Sequence, residues 1–171
     1  MYDEGEHVKE VYARFGLALY GAQVLEHGLV NALLMMDLIP TRRHEARSEE
    51  EWGKQVDAFV DRHFEETMGR LLKKLARVTE TPRDLGSLLR EALEKRNWLA
   101  HHFFRVRAWE FTNERGREAM IHELDEAHAL FRRADQRLTD IVNPVRKAHG
   151  ITDELLARTY DEMLEESKLN G

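Results

Sequence analysis

The chain contains 171 residues, of which 42% are hydrophobic and 34% are charged, and its formal net charge is −6. This length and composition fit about one globular domain and exclude a disordered or collagen-like chain. The absence of cysteine from the sequence excludes disulfide bonds, cysteine-ligated zinc and a thiol nucleophile.

The sequence contains neither a long apolar segment nor a pattern typical of a secretory leader. Its longest apolar run, residues 29–36, is interrupted by Asn31 and is far shorter than the roughly 20 residues that a membrane-spanning helix needs. The first four residues, MYDE, include two acids and precede no apolar block. We therefore expect a soluble cytoplasmic protein without a membrane partner.

Hydrophobic periodicity predicts five helices, and no window alternates like a strand over a competing length. The predicted ranges are about 5–38, 49–79, 82–110, 116–148 and 152–168. Pro40 is expected to end the first helix, and Asn143-Pro144 is expected to kink or interrupt the fourth.

Long helices joined by short connections predict an all-α fold, specifically an antiparallel up-and-down bundle of four to five helices. We expect a single domain over residues 1–171. Its C-terminal helix, within residues 150–171, carries an apolar stripe that is predicted to pack on the bundle or on a dimer partner.

Charge is unevenly distributed along the chain. Residues 1–40 contain two basic and six acidic side chains, and residues 151–171 contain the same numbers. Residues 82–117 instead contain eight basic and five acidic side chains. This central stretch could bind a polyanion in an otherwise acidic protein, although a surplus of three charges also arises by chance.

Two charged residues lie on helix faces that are otherwise apolar. Glu26 falls at the centre of the apolar stripe of the first helix, and Arg96 falls close to the middle of the stripe of the third. Because an unpaired buried charge costs several kcal/mol, each needs a partner or access to water. We predict that the two face each other; the alternative is an arginine whose stem lies along the core while its head reaches solvent.

The third predicted helix contains the sequence Arg96-Asn97-x-x-x-His101. An arginine followed by a polar residue, three further residues and a histidine resembles the signature of the HEPN superfamily of all-helical domains. Many members of that family are metal-independent ribonucleases, or toxins of toxin–antitoxin and phage-defence systems. The resemblance covers about six residues in specific motif and residues 10–140 in general architecture.

The resemblance implies catalytic roles for Arg96 and His101, with Asn97 beside them and Glu26 in support. Such a site would cleave RNA by attack of a ribose 2′-hydroxyl on the adjacent phosphate. Histidine is the side chain best suited to proton transfer near neutral pH, and a planar guanidinium can hold a phosphate through paired hydrogen bonds. Asn97 would orient the imidazole or hold a phosphate oxygen.

The resemblance also implies partners: RNA, a second copy of the chain that completes the site, and an antitoxin or a nucleotidyltransferase. In one branch of the family a tyrosine two residues after the histidine is modified by such a transferase. Here that position is Phe103, which has no hydroxyl group, so regulation at this position is unsupported. His102 is expected to be a surface or interface residue rather than a second catalyst.

Other residue patterns point to weaker alternatives. Asp125-x-x-His128 occurs once, and His122 and Glu126 are four residues apart, which is too little for a di-metal site, so we expect neither metal nor another cofactor. Aromatic residues interleaved with Arg105 and Arg107, the candidate RNA-binding arginines, could stack on bases, but core and dimer contacts are the preferred interpretation. Trp98 and Phe104, which lie outside the main stripe of the third helix, favour a dimer; the alternative is that they are buried against the second and fourth helices of the same chain.

Three functional hypotheses remain from the sequence. The first is a HEPN-like metal-independent endoribonuclease, as a toxin or phage-defence component. The second is a catalytically silent helical module that binds RNA or protein or mediates dimerisation. The third is a metal-binding helical-bundle enzyme.

Overall fold

Helices account for nearly all of residues 4–169, which are the residues that this computed structural model describes, and no strand occurs among them. The prediction of an all-α fold is therefore confirmed. The helices are α1 (Glu4–Leu33), α2 (Ile39–Arg42), α3 (Glu49–Phe64), α4 (Met68–Val78), α5 (Arg83–His101), α6 (Phe103–Val106), α7 (Ala108–Phe111), α8 (Glu114–Ala148) and α9 (Asp153–Leu169).

The first helix does not end before Pro40 as predicted but continues through a π-helical turn at Leu34–Leu38 into α2. In this turn the backbone N–H of Ile39 donates to the carbonyl of Leu34, five residues earlier. Proline lacks an amide hydrogen and its ring crowds the preceding turn of a regular α-helix. The wider π turn accommodates that ring, so the helical path reaches Arg42.

Two of the predicted helices are divided in the structure. The predicted helix at 49–79 consists of α3 and α4, and the one at 82–110 ends at His101 and is followed by the single turns α6 and α7. The backbone is extended at Thr67 (φ −73°, ψ 150°) and leaves the helical region at His102 (φ −131°, ψ −27°). Neither break contains glycine or proline, so the sequence pattern gives no signal for them.

The predicted kink at Asn143-Pro144 is also wrong in part, because α8 continues as a helix from Glu114 to Ala148 with Pro144 inside it. Pro144 is exposed, so the carbonyl that loses its amide partner can be hydrated.

Helix α1 packs most extensively on α8 and also contacts α4 and α5. Arg14 pairs with Asp125 near the start of both helices, and Gly28 lies against Leu138 further along, so α1 and α8 run parallel. Arg96 meets Glu26 while Phe103, just after α5, meets Phe15, so α5 runs in the opposite direction to α1. The α1–α8 pair therefore departs from the predicted antiparallel arrangement.

Helix α9 follows Gly150, which has a positive φ of 78°. Buried Arg146 donates to the carbonyl oxygen of Ile151 at 2.6 Å and pairs with Asp153, and these contacts hold the start of α9. Leu155 is half-buried, but four other apolar side chains along the helix are exposed, namely Leu156, Tyr160, Met163 and Leu164. The structure thus shows no extensive packing of α9 on the described part of the bundle, and docking on a second copy stays a prediction.

One helical segment, Gly5–Glu45, is long and apolar enough to cross a membrane, with a window of mean hydropathy 1.2 of which 39% is buried within the fold. The core helix of a soluble protein satisfies the same criteria, so this is weak support for a membrane span. The cytoplasmic location stays a prediction.

The turn between α7 and α8 is held by a close backbone approach at Gly116. Its N–H donates to the side-chain oxygen of Asn113 at 2.8 Å, and buried Arg117 donates to the carbonyl oxygen of Phe111 at 3.1 Å. A Cβ atom at Gly116 would overlap the carbonyl oxygen of Glu110 and lie 2.5 Å from its Cα. Only glycine fits here without a backbone shift.

We predict that Gly116→Ala lowers the free energy of unfolding by about 1–3 kcal/mol, because the added methyl group overlaps the backbone of Glu110 rather than a flexible side chain. Gly53→Ala is the matched control: nothing lies within 4 Å of a Cβ there, inside α3. It should raise stability by about 0.5–1 kcal/mol. Urea titration of both variants measures the difference, and equal effects would contradict the account.

Asp135 of α8 is half-buried beside Gly28, and this burial raises the pKa of its carboxyl group above the ordinary value. A folded state with a raised carboxyl pKa binds its proton more tightly than the unfolded state does. The associated stability is therefore present below the unfolded pKa and is lost as pH rises through the folded pKa.

We predict that Asp135→Asn is more stable than the native chain at pH 7, and that the two converge in acid below the ordinary aspartate pKa. Denaturant unfolding across this pH range measures the difference, with exposed Asp57→Asn as the control. A stability difference that does not change with pH would contradict the prediction.

Candidate active site on helix α5

The structure brings Arg96 of α5 and Glu26 of α1 together. Arg96 Nε donates to Glu26 Oε1 at 3.1 Å, which confirms the predicted pairing. The two side chains are 32% and 22% exposed, so the pair lies at the rim of the helix interface rather than inside the core. Water reaches both groups, and the large stability contribution expected of a fully buried pair does not apply.

Asn97 is exposed, and its Oδ1 accepts a hydrogen bond from Arg96 Nη1 at 3.3 Å. The side chain therefore orients the guanidinium group in this structure rather than the imidazole of His101. Arg96 is held from two sides, by Glu26 and by Asn97, and its other N–H groups remain for an anionic ligand.

His101 is the last residue of α5, and its side chain is exposed to solvent. It lies about 140° around the helix and about 7.5 Å along the axis from Arg96, as expected for a separation of five residues. The structure shows no direct contact between the two side chains. A substrate phosphate that contacts both must lie across the surface of α5 or between two copies of the helix.

The Arg–His contact that does form in this region joins Arg105 and His102. Arg105 Nη2 lies 3.0 Å from His102 Nδ1, and both side chains are exposed. His102 is a surface residue, as predicted, but its arginine partner was missed by sequence reasoning. Their three-residue separation is the available signal, and it becomes informative once the end of α5 at His101 is known.

Arg107, the second candidate RNA-binding arginine, is already engaged by carboxylates. It donates to Glu123 at 3.0 Å and to Glu110 at 3.1 Å, and hydrogen bonding to these groups raises the pKa of its guanidinium. Arg105 is more accessible than Arg107, since a phosphate would have to displace carboxylates from Arg107.

The aromatic residues of this region pack mainly within the chain. Phe104 lies 4.8 Å from Phe15 between ring centroids, and Trp98 meets Phe103 edge-on at 5.3 Å. Trp98 and Phe104 therefore have partners in their own chain, which removes them as an argument for a dimer. Trp109 differs from them, because 84% of its surface is exposed.

The histidine and carboxylate pattern of α8 does not assemble into a metal centre. His122 Nδ1 lies 3.7 Å from Glu126 Oε2, both exposed, and Asp125 instead pairs with Arg14. Within residues 5–168, whose side chains the structure describes, no group of three or more histidine or carboxylate side chains is placed to hold a metal ion.

No protein-family model, curated protein or solved structure matches the chain. The HEPN resemblance therefore depends on the motif around Arg96 and on the helical fold.

We predict that the stability losses of Glu26→Gln and Arg96→Met are not additive. The coupling free energy should be about 0.5–1 kcal/mol, the range for a partly exposed pair whose members touch. The four chains of the cycle are compared by urea unfolding. A control cycle pairs Arg96→Met with Glu118→Gln on the exposed side of α8 and should be additive. Additive losses in the first cycle would contradict the pairing.

Proposed function

We propose that the chain is a HEPN-like metal-independent endoribonuclease that acts in the cytoplasm, as a toxin or as a phage-defence component. The observation that carries the proposal is the Arg96-Asn97-x-x-x-His101 motif on an accessible part of α5 in an all-α chain. Glu26 and Asn97 hold the arginine at the surface, where a phosphate can reach its remaining N–H groups.

The proposed reaction requires no metal ion. The 2′-hydroxyl oxygen attacks the adjacent phosphorus, a 2′,3′-cyclic phosphate forms, and the bond to the 5′-oxygen breaks, which leaves that oxygen to take up a proton. The attacking hydroxyl loses its proton and the leaving oxygen gains one; His101 accepts the first proton or donates the second, and water carries the other. Arg96 stabilises the negative charge that develops on the phosphate, and Asn97 and Glu26 position the guanidinium.

A homodimer would supply the second half of the site. His101 is exposed and Arg96 is partly exposed on the same helix, which leaves room for a second α5 to approach, and a two-fold axis would bring two basic segments together. An antitoxin or nucleotidyltransferase partner belongs to the same proposal. Modification at Phe103 does not, because that side chain is buried and lacks a hydroxyl group.

The second candidate is the silent helical module that binds RNA or protein. The observation that favours it is the absence of contact between Arg96 and His101 in the described chain, together with the engagement of Arg96 by Glu26. The metal-binding enzyme is the weakest candidate, since the described residues offer no cluster of ligands.

We predict that His101→Ala lowers the rate of RNA cleavage by about 10²–10⁴-fold without loss of stability, because the side chain is exposed and transfers a proton. Arg96→Ala should lower cleavage similarly and stability slightly. Asn97→Ala should have an intermediate effect on cleavage. The measurement is cleavage of a mixed RNA pool in EDTA, with the products tested for 2′,3′-cyclic phosphate ends.

The matched control is His122→Ala, which removes another exposed histidine far along the sequence from the motif. This variant should cleave at the native rate. Cleavage that survives His101→Ala, or that EDTA abolishes, would contradict the mechanism. RNA binding without any cleavage by the native chain would favour the silent module.

A further inference from the structure

The segment that follows α5 separates its side chains into an inner and an outer set. Phe103 is buried, and Phe104, Arg107 and Phe111 are half-buried against α1 and α8. The outer set, which we name the outer face, consists of His102, Arg105, Val106 and Trp109, all exposed.

The backbone keeps the outer face continuous although α6 and α7 are separate turns. The N–H of Val106 donates to the carbonyl of His102, and the N–H of Phe111 donates to that of Arg107, both at 2.9 Å with helical spacing. Residues 102, 105 and 109 are thus three and four positions apart along a nearly helical path and cover about 10 Å.

Trp109 is the most exposed of the large hydrophobic side chains in the described chain, at 84%. An indole ring carries a large apolar surface, and the other aromatic residues of this segment pack against the fold. The backbone that carries Trp109 is held in place, because hydrogen bonds of Gly116 and Arg117 hold the turn that follows it. The ring is therefore presented to solvent by an ordered backbone.

The charges around the outer face favour an anionic ligand. Arg105 contributes a guanidinium group beside His102. The ring of His101 lies next to that of His102, with 6.3 Å between the ring centroids. The nearby carboxylates of Glu110 and Glu123 are engaged by Arg107. They therefore repel an incoming phosphate less than free carboxylates would.

We propose that the outer face binds single-stranded RNA, with an unpaired base stacked on Trp109 and a neighbouring phosphate on Arg105 and His102. An aromatic platform beside a cation is the arrangement by which proteins hold unpaired nucleotides without reading their sequence. The face begins directly after His101, so a bound strand passes the motif of α5. This inference rests on the RNA substrate of the proposed function but not on cleavage.

The test is fluorescence anisotropy of a labelled oligoadenylate whose riboses carry 2′-O-methyl groups, which blocks cleavage by 2′-hydroxyl attack. Trp109→Ala should weaken binding by about 5- to 150-fold and leave the salt dependence unchanged. Arg105→Ala should reduce the slope of log affinity against log salt by about 0.7. His102→Ala should weaken binding as well.

Matched controls remove equivalent groups elsewhere. Tyr20→Ala deletes an exposed aromatic of α1, and Arg90→Ala deletes an exposed arginine in the N-terminal half of α5. Both should bind like the native chain. A duplex of the same length hides its base faces, so Trp109→Ala should not weaken its binding.

Three results would overturn the inference: no binding of the oligoadenylate by the native chain, equal affinities of Trp109→Ala and Tyr20→Ala, or sedimentation showing that Trp109→Ala converts a dimer to a monomer. The last result would assign the face to a second copy. If unmodified RNA is not cleaved but binding depends on Trp109, the ribonuclease proposal fails and this inference stands. If Trp109→Ala cleaves RNA with the native KM, the ribonuclease proposal stands and this inference fails.

Discussion

The close approach of α1 to α8 is the constraint on which the rest of the structure depends. A Cβ atom at Gly21 would lie 2.9 Å from the His128 ring, and one at Gly28 would lie 2.6 Å from the Asp135 carboxylate. These glycines let two long parallel helices meet along much of their length. Helices α4 and α5 also pack on α1. The position of the motif on α5 therefore depends on the α1–α8 contact, in which the motif residues take no part.

The Glu26–Arg96 pair connects this scaffold to the candidate site. It crosses the α1–α5 interface at a point where both side chains are partly hydrated, so it orients the guanidinium more than it stabilises the fold. Asn97 completes the support from the same helix. A surface arginine that is held in this way loses less conformational freedom when it binds a phosphate, which is the physical advantage of a preorganised site.

The all-α class and the Glu26–Arg96 contact could be predicted from the sequence, because helical periodicity shows which charged residues interrupt an apolar face. The helix breaks at residues 65–67 and at His102 could not be predicted from the sequence, because neither contains glycine or proline. If α5 is assumed to continue through His102, Phe104 falls outside the apolar stripe of the helix and is interpreted as a dimer contact. The accessible Arg105 depends on the same break, which explains why its contact with a histidine was missed.

The central claim is that this surface promotes cleavage of RNA by the RNA's own 2′-hydroxyl group. The most direct measurement removes that hydroxyl group from the substrate. An oligonucleotide with a single ribose is incubated in EDTA beside the same sequence in which that ribose is a 2′-deoxyribose. The account predicts cleavage after the ribose alone, with a cyclic phosphate on the 5′ fragment. Equal cleavage of both oligonucleotides would contradict it, and so would cleavage that yields a 3′-hydroxyl end.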